Sequence, residues 1–495
     1  MGAEGMVAAG HPLTAEAGAR VLREGGNAVD AAVAAVLVSW VSEPLLTGPG
    51  AGGYMLVAGA GEEPTLLDFF VAAPGMGGAD PSLRAELVPV DVSFGDATQL
   101  FNVGPASCGV YGMPSGLAVA ADRWGTLPLA TLAEPAAALA RDGVALNAQQ
   151  AYVFEILAGI VLTTPEAREL FAPDGRVLRE GDTYRNPQQA ETIERLGAEG
   201  AEPFYRGDIA AAVAEWLGAR GSLLTSADLA TYDAVAREPA RAAYRGRDVL
   251  TNPPPSAGGV LLALAMARLD ASTTGVPTPY ELVDVMDAVQ AERTPEFVAG
   301  LAEPGFMDRF LGLRLGGTTH VSVLDVDGRA CSVTCTNGEG SGVVVPGTGM
   351  HLNNIMGEED LSPLGFFQAP PGLRMPSMMA PTVVLGADGQ VELVLGSAGS
   401  NRIRSAILQT IVGVVDRGLG AGEAILAPRV HVEGGVVYAE PGIDLEPLRA
   451  AGRQIAPFRG LNLFFGGVQA VERDPLTGEV TGGGDLRRGG VAVAA

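Results

Sequence analysis

The sequence predicts a mixed α/β fold, with a helix-rich segment of residues 1–317 followed by a sheet-rich segment of residues 318–495. Three observations carry this expectation. Helical and strand-like patterns alternate near the start, and β-branched runs dominate after about residue 317. The 69 glycines and 34 prolines, about a fifth of the chain, imply many tight turns without forming a low-complexity tract. At 495 residues the chain is expected to form two or three domains or one large one, and 47% apolar residues suffice for a large interior.

In chain order, Thr14 stands where it can cap a helix AEAGARVLREGG, stopped by Gly25-Gly26. Asn27 and Asp30 then open an apolar helix, 31–41, and the second half of TGPGAGGYMLVAG reads as a strand. Between Pro128 and Arg241 the pattern is mostly helical: LATLAEPAAALARDG, PQQAETIERLGAEG, DIAAAVAEWLGARG, and TSADLATY with a serine cap. TTHVSVLDVDGRACSVTCT is two β-branched runs around Asp327-Gly328, a hairpin signal. Further strands are expected in APTVVLGADGQVELVLG, ending at Gly396, and in HVEGGVVYAE, with a helix from about Arg402 to Arg417 between them.

Composition excludes several function classes. The net charge of −25 opposes nucleic-acid binding, which needs Lys and Arg to neutralise phosphates. Cys108, Cys331 and Cys335 have no metal or disulfide spacing; on a strand, Cys331 and Cys335 would share one buried face, and no metal is expected. The most apolar run, 31–41, is too short to span a bilayer, so no membrane partner is expected. The N-terminus lacks a basic region followed by an apolar one, which predicts a cytoplasmic protein. TGPGAGG precedes a strand instead of leading from one into a helix, which disfavours a flavin or nicotinamide cofactor; none is expected.

Thr318-Thr319-His320 opens the sheet-rich segment after Gly316-Gly317. A threonine hydroxyl needs a neighbouring base, and an N-terminal threonine supplies one in its own α-amine, of pKa roughly 8. That amine exists only if the Gly317–Thr318 bond is broken. The Thr318 hydroxyl could break it by attacking the Gly317 carbonyl, forming an ester that water opens. Taken alone, Gly-Gly-Thr-Thr equally describes an ordinary strand-opening turn.

The wider sequence resembles the γ-glutamyltransferase (γ-glutamyl transpeptidase) family of N-terminal-nucleophile hydrolases. The resemblance runs through GMVAAGHPLTAEAGARVLREGGNAVDAAVAA, the stretch from Glu43 to GGYMLV, FYRGDIA, TNPPPSAGG, TTH, GMHLNNIM, MAPTVVL, PRVH and DLRRGG. It implies a four-layer αββα sandwich. It also implies cleavage between Gly317 and Thr318 into fragments of 317 and 178 residues that stay together as a heterodimer. By the same resemblance Thr318 is the nucleophile, Thr336 a helper beside it, and the backbone N–H groups of Gly399 and Ser400 an oxyanion hole. The spacing agrees, because a hairpin can put Thr318 and Thr336 side by side. His320, His11 and His431 read as structural hydrogen-bonding groups, and Asn353-Asn354 as backbone supports. The stretch from Gly259 to Thr318 is shorter than the family's.

The substrate-recognition residues depart from the family pattern. The family arginine that holds the glutamyl α-carboxylate has no equivalent in DFFVAAPGMGGADPS; Ala79 is nearest, and Arg84 lies farther along. The serine pair becomes Ser377-Met378, and Asn-Asn-Gln-Met becomes Asn353-Asn354-Ile355-Met356. Glu358 stands for an aspartate, and Asn337 for an asparagine in a loop two residues shorter. These changes imply a more apolar acyl pocket. They fit a hydrolase acting on a biosynthetic intermediate, such as those of 4-alkylproline antibiotic pathways, where cleavage of a carbon–carbon bond is implied. Ordinary γ-glutamyl transfer is the alternative. A non-catalytic binding scaffold is a second, disfavoured by the presence of both Thr318 and Thr336.

Overall fold

A computed structural model describes residues 5–78, 80, 82, 84–93, 98–292, 318–362 and 365–495. Ala79 and Gly317 lie outside them.

Two antiparallel sheets face each other. Among the described residues the first has seven strands, in the order Val491–Ala494, Met6–Ala9, Thr319–Leu324, Arg329–Thr336, Gly52–Gly59, Glu62–Phe69 and Val235–Arg237. The second has six: Val480–Gly484, Gly467–Arg473, Val391–Ala398, Thr382–Leu385, Arg247–Thr251 and Ala240–Tyr244. Each sheet therefore takes strands from both sides of residue 317. The expected hairpin is the centre of the first sheet, in the register Thr319–Cys335 to Leu324–Ala330.

Side chains on the hairpin alternate between two environments, as pleating requires. Val321, Val323, Cys331, Val333 and Cys335 pack with the helices outside the first sheet. Ser322 and Ser332 face the second sheet, donating hydroxyl hydrogen bonds to the carbonyls of Gln469 at 3.1 Å and Leu395 at 3.0 Å. Small hydroxyls there satisfy buried carbonyls of the facing strands without spreading the sheets.

The helix Ala28–Ser42 lies against the hairpin and is buried all round. A helix with no solvent face belongs in a core, and its alanines and valines let it approach closely. Asn27 caps it, with Asp30 closing the reciprocal box. On the outer side of the second sheet lie Ala257–Ser272 and Arg402–Val415, completing four αββα layers.

Two helix starts differ from the sequence expectation. The first helix is Pro12–Arg23, capped by the His11 ring, which accepts the Leu13 N–H at 3.1 Å. Proline at the first helical position moves the start upstream, and Thr14 turns its hydroxyl to Ser42 and Glu43 instead. The short helix Ser226–Ala230 is capped by Thr225, not by its serine, because Asp228 returns the bond to the Thr225 N–H. The strand expected to end at Gly396 continues to Ala398. No helix among the described residues is long and apolar enough to cross a membrane.

Candidate active site

Thr318 stands one residue before the hairpin strand. One step beyond the Thr319–Cys335 pair, the register brings it opposite Thr336. Its hydroxyl is buried and has no hydrogen-bond partner among the described residues. The Thr336 hydroxyl accepts the Gly338 N–H at 2.8 Å, which folds the following loop back over the strand end.

Thr318 lines a cleft of about 520 Å³ together with Gly399, Ser400, Glu339, Arg402 and Arg488. Its apolar wall is Leu46, Val153, Ile156, Leu157 and Leu463. Gly399 and Ser400 form the turn between strand Val391–Ala398 and helix Arg402–Val415. Their φ angles are 120° and 60°, so both are left-handed, and among the described residues neither N–H donates a hydrogen bond. Ser400 adopts a conformation that glycine accepts freely and an L-residue adopts at roughly 1–2 kcal/mol. At Gly399 a Cβ would lie 2.6 Å from the Gly466 Cα, so the strand-to-helix turn admits only glycine there.

His320 is buried between hydroxyls, Nδ1 to Thr334 at 2.8 Å and Nε2 to Ser322 at 2.9 Å. Burial pushes its pKa down to about 3, so it is a neutral cross-brace rather than a proton carrier near neutral pH. His431 bonds the Ser405 hydroxyl at 2.8 Å. Asn353 spends its amide on the backbone of Gly50, Gly109 and Ile355, and Asn354 accepts the Glu339 N–H.

The other candidate residues do not line this cleft. Asn337 is buried and donates to the His351 carbonyl at 3.2 Å. Glu358 is buried against Gly338, where a Cβ would meet its Oε1 at 2.2 Å. Ser377 accepts the Met379 N–H, and its carbonyl takes bonds from Ser256 and Gly258, tying it to the proline block. Met378 is fully buried in the second core cluster. Arg84 stacks on Phe367 and lines a separate cleft with Ala211 and Thr225.

Several residues that sequence reasoning passed over converge here. Glu43 is buried behind the strand, accepting from Thr319 at 3.0 Å and from Thr14 at 3.3 Å, and burial raises its pKa to about 7. Glu339, Arg402 and Arg488 come from three loops or turns far apart in sequence. Only the resemblance blocks from Glu43 and in DLRRGG hinted at any of them. Among the described residues, no group of three or more His, Cys, Asp or Glu side chains could hold a metal ion.

The chain matches the family model Gamma-glutamyltranspeptidase over residues 14–307 and 308–495. It is 31% identical to the glutathione hydrolase proenzyme of Bacillus subtilis (strain 168), across 100% of this chain and 92% of that one. Its fold superposes on the cephalosporin acylase of Bacillus halodurans with a TM-score of 0.84 at 27% identity, covering 99% and 96% of the two chains. For LmbA2991HD the TM-score is 0.80 at 25% identity, covering 99% and 98%. The sandwich, the threonine at the head of its central hairpin and these likenesses agree: the chain belongs to the γ-glutamyltranspeptidase family and is a hydrolase or acyltransferase of that family.

Proposed function

We propose that this enzyme activates itself by cleavage between Gly317 and Thr318 and then uses Thr318 as an acyl-accepting nucleophile. The observation that carries this reading is the unpartnered Thr318 hydroxyl in one cleft with the two undonated N–H groups of Gly399 and Ser400. In the first reaction the hydroxyl attacks the Gly317 carbonyl, the peptide nitrogen leaves as the Thr318 amine, and water hydrolyses the ester. The fragments of 317 and 178 residues stay together because both sheets interleave strands from each.

In the second reaction the new amine takes the hydroxyl proton as the oxygen attacks the substrate. The N–H groups of Gly399 and Ser400 hold the developing oxyanion. Thr336, opposite in the register, orients the amine. Water or an amine then takes the acyl group. Asn337, Glu358, Ser377 and Met378 shape the surroundings of the acyl pocket, and Met378 places a thioether where the family has a hydroxyl.

The substrate is a biosynthetic intermediate, in the manner of 4-alkylproline-type antibiotic pathways, and not glutathione. The support is the family's carboxylate-binding arginine, absent from the 68–82 stretch, together with Ile355 and Met378 in place of polar side chains. Ordinary γ-glutamyl transfer is the competing reading. Turnover of a γ-glutamyl anilide by the cleaved protein separates the two. Slow or absent turnover is expected here, and rates at the level of ordinary family members would overturn the diverged pocket.

A further inference from the structure

The cleft beside Thr318 carries opposed charges that the family resemblance did not assign. Arg488 ends the turn Leu486–Arg488, whose neighbour Arg487 is anchored by buried ion pairs to Glu440 and Asp485. Its stem lies over Gly467, where a Cβ would meet the Arg488 Cδ at 2.5 Å. The guanidinium reaches Gly399: Nη2 is 3.4 Å from the position a Cβ would take there. Only one weak bond engages it, Nη2 to the Leu463 carbonyl at 3.4 Å, and Nε is buried without a partner. Glu339 lines the same cleft, and its carboxylate has no hydrogen bond and no ion pair within 4.0 Å among the described residues.

A half-buried cation and anion left unpaired within one cleft are costly, because each has lost water without gaining a partner. Burial accordingly pushes Arg488 down to about 10 and raises Glu339. Such a cost persists where a ligand completes the site. Arg402 shares the cleft, but its Nε is committed to the Phe464 carbonyl at 2.9 Å and its guanidinium lies on the Phe464 ring. That leaves Arg488 as the cation with donors to offer.

We propose that Arg488 is the carboxylate anchor of the acyl pocket. It would hold an acidic group of the substrate beside the Gly399–Ser400 turn, with Glu339 setting an opposing charge that rejects a second anion. A planar guanidinium fits a carboxylate in a two-bond fork, and the apolar wall of Val153, Ile156, Leu157 and Leu463 accepts the carbon skeleton between the acid and the reacting carbonyl. The assignment rests on Thr318 being the reacting residue.

Calorimetry on the cleaved protein tests it without depending on turnover, using glutarate and its neutral diamide glutaramide as probes. Glutarate is expected to bind at least tenfold more tightly than glutaramide. Arg488→Gln should erase that preference, Arg488→Lys should restore part of it, and Glu339→Gln should tighten glutarate. Melting curves report whether each variant folds, and Glu339→Gln keeps the test open if Arg488→Gln does not. Equal binding of the two probes, or an intact preference in folded Arg488→Gln, would overturn the anchor. A chain that never cleaves would instead sink the Thr318 reading.

Discussion

Thr319 donates its hydroxyl to the buried carboxylate of Glu43 at 3.0 Å, joining the residue after the proposed nucleophile to the end of the helix Ala28–Ser42. Thr14 approaches the other carboxylate oxygen, so a single acid fastens three separate segments of the chain. Because Thr319 follows Thr318 directly, this contact fixes where the Thr318 backbone sits.

Glu43 gives the fold a pH dependence whose sign follows from its burial. Its pKa rises from 4.5 unfolded to about 7 folded, so between those values the native state holds the proton more tightly. Stability contributed by the protonated form is present below about pH 4.5 and is lost as pH climbs through 7. A shift of this size corresponds to roughly 3 kcal/mol. Glu43→Gln should remove this component: the difference in unfolding free energy between wild type and variant, followed from pH 4.5 to 8 by denaturant titration, should change steadily against the wild type.

Ser400 holds φ at 60° where glycine would be unstrained. Ser400→Gly relieves roughly 1–2 kcal/mol of local conformation and gives back about half of it as backbone entropy, leaving a net gain of up to about 1 kcal/mol. Gly399→Ala should do the reverse, losing more than about 1 kcal/mol, since the new methyl meets Gly466. Thermal melts of both variants check the pair.

Arg487 pairs with Glu440 at 2.5 Å and with Asp485 at 3.1 Å, all three buried. Replacing it by methionine leaves two uncompensated carboxylates and should cost about 3–5 kcal/mol. Adding Glu440→Gln to Arg487→Met should recover part of that loss. Urea unfolding of the single and double variants measures both.

Local features were legible in the sequence and convergent ones were not. The hairpin around Asp327-Gly328 declares itself through alternating β-branched residues, and the helix after Ser400 through its periodic apolar face. The burial of both Cys331 and Cys335 on one face follows from their even spacing on a strand. Helix starts were misjudged where two capping residues competed, at His11 against Thr14 and at Thr225 against Ser226. Nothing local links Glu339 to Arg488, which stand 149 residues apart and meet only because the second sheet brings its edge turn over the hairpin end. The expected apolar pocket came from counting lost family polar groups, an account blind to charges arriving from a different turn.

The central claim is that Thr318 becomes an N-terminus by the chain's own chemistry. Intact-mass measurement of the purified protein, before and after prolonged incubation, tests it most directly. The account predicts two species, one of them residues 318–495 beginning with Thr318, and a single uncut chain for Thr318→Ala. An uncut wild-type chain under all conditions, or a Thr318→Ala chain cut at the same bond, would contradict it.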